Sequence, residues 1–136
     1  MSETTLPASR GSAGTRVAAV LVATAAAVAI WAVATAAGAE LTVSFGPGQP
    51  IQKVTVVNVV VAALVGSLAG WGLLGLLGRF TAKARVVWTV TAIVAALLSL
   101  GGPLSATASA GTKVSLVAMH LAVATVLIAV LRRTQQ

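Results

Sequence analysis

Three side chains in this sequence have the type and the setting to do chemistry: Glu40, Asn58 and His120. The histidine is the chain's only one, and there is a single other acid, Glu3. An imidazole titrates near neutrality, and a carboxylate beside it fixes its tautomer. Glu40 and His120 are therefore the acid–base pair this chain could assemble. Asn58 would add two donors and an acceptor. With Lys53 and Lys113 they would make a small polar mouth at one end of the molecule. The plainer expectation for Asn58 and His120 is an interhelical hydrogen bond, worth about 1 kcal/mol.

Most other chemistries lack their residues. The chain has no Cys, Asp or Tyr. Disulfides, thiolate chemistry and Cys-based metal sites are therefore out, as are quinone–disulfide enzymes of similar size. One histidine cannot build an ordinary structural zinc site. A nucleophilic triad would have to borrow Glu40 and a Ser or Thr that nothing marks out. No glycine-rich loop follows a strand. No cofactor, metal or catalytic residue is expected.

The elements that must position these side chains are set by composition. The 136 residues are 58% hydrophobic and 8% charged, with mean hydropathy +1.02. A soluble domain carries about 25% charged residues to face water. The apolar residues come in long blocks, so the solvent is lipid. Four spans are expected, at about 17–39, 54–78, 86–104 and 114–131. The first has 23 uncharged residues, a helix of about 35 Å against a hydrocarbon core of about 30 Å. That is longer than a signal-peptide core of about 7–15 residues, so this helix is expected to stay uncleaved. No span holds an acid, which separates the chain from small four-helix multidrug antiporters that need one. Residues 1–16 are small and polar and read as a flexible tail; 17–133 form the transmembrane domain, and 134–136 a second tail.

The expected fold is an all-α membrane protein, an up-down four-helix bundle. The outer link, 40–53, holds two alternating runs, Leu41 to Phe45 and Ile51 to Thr55, around Gly46-Pro47-Gly48-Gln49-Pro50, and suggests a short β-hairpin. Gly101-Gly102-Pro103 ends or kinks the third span. Charge sets the orientation. With the N-terminus inside, Arg10, Arg16, Arg79, Lys83, Arg85, Arg132 and Arg133 are inside, and only Lys53 and Lys113 are outside. Seven against two places both termini in the cytoplasm and the bundle in the plasma membrane. The net charge of +7 is spent at span ends and forms no patch, so nucleic acid is not an expected partner.

Lipid gives helices no hydrophobic reason to meet, so small residues should mark the contacts. The second span aligns Thr55, Ala62, Gly66 and Gly70, the third Trp88, Ala92, Ala95, Ser99 and Gly102, and the fourth Ala118, Ala122, Thr125 and Ala129. Gly66-x-x-x-Gly70 would build the monomer core, or pair two copies. The first span is alanine-rich all round and gives no direction. His120 falls opposite the fourth stripe, with Leu116, Val123, Leu127 and Leu131, which look lipid-facing. It would then contact a second subunit, reach the headgroups, or show that the stripe is not the packing face. Trp88, just after Arg85, fits the inner interfacial belt. Trp31 and Trp71 lie deeper, as packing or lipid-facing residues.

Trp71, the run Thr81-Ala82-Lys83-Ala84-Arg85 into Val86-Val87-Trp88-Thr89, Leu98-Ser99-Leu100-Gly101-Gly102-Pro103-Leu104, and Met119-His120-Leu121 before Arg132-Arg133 together resemble a family of small actinobacterial four-helix membrane proteins of unknown function. The resemblance runs from about Val17 to Arg133. It implies a four-span bundle with an outer link between the first two spans, and no activity. The expected role is non-catalytic: a structural or accessory subunit held by the lipid bilayer and packing with itself or a larger membrane complex. A small-solute or ion pathway between two copies, with Asn58 or His120 at the seam, and an enzyme using the polar mouth are the alternatives.

Overall fold

Among the described residues four helical segments are long and apolar enough to cross a membrane: Ala13–Ala36, Val56–Phe80, Ala84–Ser105 and Ala110–Thr134. The computed structural model describes residues 10–134. Its elements are α1 (Arg10–Ala36), β1 (Thr42–Val43), β2 (Gln52–Lys53), α2 (Val56–Phe80), α3 (Ala84–Ser99), α4 (Gly101–Ser105) and α5 (Ala110–Leu131), closed by a 3-10 turn, Arg132–Thr134. Such lengths follow from lipid, which leaves a spanning backbone no partner for its amides but itself.

The first helix starts earlier than its apolar run. Residues 10–16, expected to be tail, are helical, because the helix end is tied down: Arg16 Nε donates to Thr134 Oγ1 at 2.8 Å. The remainder of the expected tail lies outside the described residues. At its other end α1 closes with Gly38 at φ +90°, Gly38 N–H donating to Thr35 O and Ala39 N–H to Ala34 O, both at 3.0 Å. This left-handed cap favours glycine because it has no Cβ to clash.

The outer link forms the expected hairpin, shorter than its alternation. β1 and β2 pair antiparallel, with Thr42 opposite Lys53 and Val43 opposite Gln52. Two strands are marginal alone, and three supports hold these. Ser44 and Thr107 exchange backbone hydrogen bonds of 3.0 and 2.8 Å, joining the hairpin to the α4–α5 link. Trp31 Nε1 donates to Val54 O at 3.0 Å. Leu41 takes φ +51°, an unfavourable backbone for a branched side chain, while burying that side chain almost completely.

Pro103 leaves residue 103 without an N–H, and the third span breaks at Leu100 and carries on as α4. The fourth span starts at Ala110, capped by Ser109, four residues before its apolar run. The basic residues Arg16, Arg79, Lys83, Arg85, Arg132 and Arg133 share the end at which α1 begins and α5 finishes, called here the basic end. Lys53 and Lys113 sit at the opposite, hairpin end.

The helices close in the order α1, α2, α3, α5, with α1 lying along both α2 and α5. The core has two clusters. Ala19, Ala23, Leu74, Trp88, Leu127 and Leu131 fill the basic half, and Ala27, Val59, Ala63 and Met119 the hairpin half. The α1 face left undetermined by sequence is Ala19, Ala23 and Ala27, each at most 2% exposed. Against it stands the α2 face Val59, Ala63, Ser67 and Leu74. Ser67 is fully buried and its hydroxyl has no hydrogen-bond partner among the described residues. Its small size is what the position uses.

Candidate functional site: a groove between α2, α3 and α5

The packing faces differ from those expected, and a groove results. On α2, Ala62 and Gly66 are exposed and Asn58 with them. On α3, Ala95 and Ser99 are exposed while Ala92 packs partly against the core. On α5, Thr125 and Ala129 are exposed and Ala118 and Ala122 only half-buried, whereas Met119, Leu127 and Leu131 are buried. The large aliphatics of α5 therefore face the bundle. The physical reason is that every face of these helices is apolar, and shape alone chooses among them.

The α2 and α3 stripes of small residues face each other across open space. Ala62, Gly66 and Ala69 form one wall, Ala92, Ala95 and Ala96 the other, with Met119, His120 and Val123 of α5 between them. The volume is about 570 Å³, within the usual range of small-molecule sites, about 300–1,000 Å³. A Cβ added at Gly66 would meet nothing within 4 Å. A shallower furrow of about 420 Å³ runs along the other side of α2, beside Trp71, Gly72, Gly75 and Arg79.

Trp88 shuts the groove at the basic end. Its side chain is 2% exposed, and its indole Nε1 donates to Gly70 O at 2.9 Å. The indole N–H, costly to leave bare in an apolar setting, finds a carbonyl that a glycine leaves uncovered. A Cβ at Gly70 would stand 3.9 Å from Trp88 Cζ2.

The three chemical candidates do not converge as a catalytic group. Asn58 lies in the first turn of α2, closer to its end than expected, and completes a capping box with Thr55. Its Oδ1 accepts from Thr55 N and Oγ1 at 2.9 and 2.7 Å. Its bond is local to one helix. Glu40 is exposed and is not the partner of His120. The His120 ring instead uses Nδ1 on Leu116 O, one turn back, at 2.7 Å. A carbonyl only accepts, so Nδ1 carries the proton. Both Asn58 and His120 line the groove. Lys113 Nζ donates to Leu104 O at 3.3 Å. Among the described residues no group of three His, Asp or Glu could hold a metal ion.

Sequence reasoning missed Met119 and the groove. The signal was present: His120 falls on the face of Leu116, Val123 and Leu127, and a polar ring is poorly placed towards lipid.

No curated protein and no solved structure matches the chain. One family model does, over residues 7–136. Its extent takes in the hairpin, all the spanning helices and every groove-lining residue, and with them the chain belongs to the family of unknown function DUF6069.

Proposed function

We propose that this protein is a non-catalytic component of a bacterial plasma membrane, with both termini in the cytoplasm, that holds an apolar guest between α2, α3 and α5. The observation carrying the reading is that two walls of small residues face one another without meeting. In lipid, helices stay together where small side chains let backbones approach. Here those residues leave room instead. The orientation is supported by the count of basic residues at the two ends, seven against two. Against an enzyme stands the bond of His120 to Leu116 O in place of Glu40; no acid among the described residues pairs with the ring.

Gly66 and Gly70 favour a second reading, in which the guest is a second copy of the chain packing its own α2 into the opening. One experiment addresses both. A photoreactive residue placed at position 66 in intact membranes is compared with the same residue at Leu98, which is 74% exposed. A saturable adduct at 66 and none at 98 is the expected result. An adduct of twice the chain mass identifies the second copy. Equal labelling by bulk lipid at both positions would overturn the groove as a binding site.

A further inference from the structure

Hydrogen bonding in the groove is one-sided. At the hairpin end two polar side chains have unused capacity. With Nδ1 committed to Leu116 O, His120 keeps Nε2, an acceptor in the neutral ring. With Oδ1 committed to the cap, Asn58 keeps the two N–H donors of Nδ2. Neither remaining group has a partner among the described residues. Both side chains line the hairpin half of the groove, beside the cluster of Val59, Ala63 and Met119.

Elsewhere in the groove the side-chain donors are spent. Thr91 Oγ1 donates to Val87 O at 2.8 Å and Ser99 Oγ to Ala96 O at 2.7 Å, both within α3. Trp88 Nε1 is held by Gly70 O. The groove from Asn58 to Gly70 covers twelve residues of α2 (70 − 58), a length of about 18 Å. No Lys, Arg, Asp or Glu among the described residues lines it, so nothing there balances a charged head.

We propose that the guest is a single-chain neutral amphiphile whose head both donates and accepts a hydrogen bond, a long-chain alcohol in its simplest form. This rests on the groove being a binding site. The hydroxyl donates to His120 Nε2 and accepts from Asn58 Nδ2. The chain runs between the small-residue walls towards the Trp88 indole. No described cation lines the groove to hold a phosphate or carboxylate head, and a plain hydrocarbon would leave Nε2 and Nδ2 unpaired, which costs free energy in an apolar site.

Trp88 makes the test direct, because its ring lies where the tail ends. In a chain carrying Trp31→Phe and Trp71→Phe, Trp88 is the single fluorophore. The protein is reconstituted in phosphatidylcholine vesicles and titrated with a long-chain alcohol brominated near its tail end, then with the methyl ether of that alcohol. The ether can accept from Asn58 but cannot donate to His120. Saturable quenching is expected from both, with half-saturation about fivefold lower for the alcohol, the worth of one hydrogen bond in a membrane. His120→Leu should erase the difference and leave the ether unchanged. Asn58→Asp, which keeps the capping oxygen but removes the donors, should weaken both probes.

Equal quenching by alcohol and ether, indifferent to His120→Leu, would overturn the assignment of the head while leaving the groove a binding site. Quenching that never saturates with either probe would overturn the groove reading itself. If the double tryptophan variant does not fold, competition for the adduct at position 66 in the otherwise unaltered chain replaces quenching. There the alcohol must compete better than the ether, and an adduct between two copies would sink the proposal.

Discussion

The two sides of α2 show what small residues do in a membrane when they meet a partner and when they do not. On one side Ala63 and Ser67 lie against α1, whose Ala19, Ala23 and Ala27 are buried. On the other side Ala62, Gly66 and Ala69 look across open space at Ala92, Ala95 and Ala96. The two sets have nearly the same composition and interleave along one helix. One is a seam and the other a socket. Composition therefore tells where helices can approach, and the partner's position decides whether they do.

The point holding the open side together is Trp88, and the largest effect should come from removing it. Trp88→Ala deletes a buried indole and its bond to Gly70 O, at a cost of about 3–5 kcal/mol. Reversible unfolding in mixed detergent micelles measures it. Trp88→Phe keeps most of the ring and loses the bond, for about 1 kcal/mol. If the two variants behave alike, the hydrogen bond and not the packing fixes α3, and the socket is less rigid than its shape implies.

The seam and the socket should part company next when each is filled. Ala23 is 0% exposed, and Ala23→Leu forces three carbons into a closed interface at a cost of about 1–3 kcal/mol. Ala95→Leu places the same three carbons in the groove, where the change should stay within about 0.5 kcal/mol. The same unfolding assay compares them. A costly Ala95→Leu would mean that α2 and α3 close upon each other and that the opening is not a standing feature of the fold.

Legibility in the sequence followed the solvent. The four spans and their antiparallel order could be read, because lipid demands some 20 apolar residues and internal backbone pairing. The hairpin was readable from Gly46-Pro47-Gly48 between two alternating runs, though the pairing narrowed to two residues on each strand. Facing could not be read. In water an apolar stripe points inward, but Leu116, Val123 and Leu127 would suit lipid as well as the core, so residue size misdirected the assignment of α5. The tie from Ser44 to Thr107 was hidden for another reason. It joins backbone to backbone across 63 residues (107 − 44), and no side-chain pattern announces such a bond. Asn58 and Glu40 were placed in the right region, but Asn58 is held by its own cap and Glu40 by nothing that reaches His120.

The smallest predicted effect separates motif from mechanism. Gly66-x-x-x-Gly70 invites the idea that both glycines let helices touch, yet a Cβ at Gly66 meets nothing and one at Gly70 makes an ordinary 3.9 Å contact with Trp88. Neither residue has a positive φ, so neither needs glycine for its conformation. Alanine also favours the helix by up to about 1 kcal/mol over glycine, set against whatever contact is lost. Gly66→Ala and Gly70→Ala should therefore leave unfolding within about 0.5 kcal/mol of the unaltered chain or shift it slightly towards stability. Should Gly66→Ala alone destabilise the protein in membranes while leaving it unchanged as a dilute detergent monomer, a second copy sits in the socket, and the open side is a seam after all, closed by another chain.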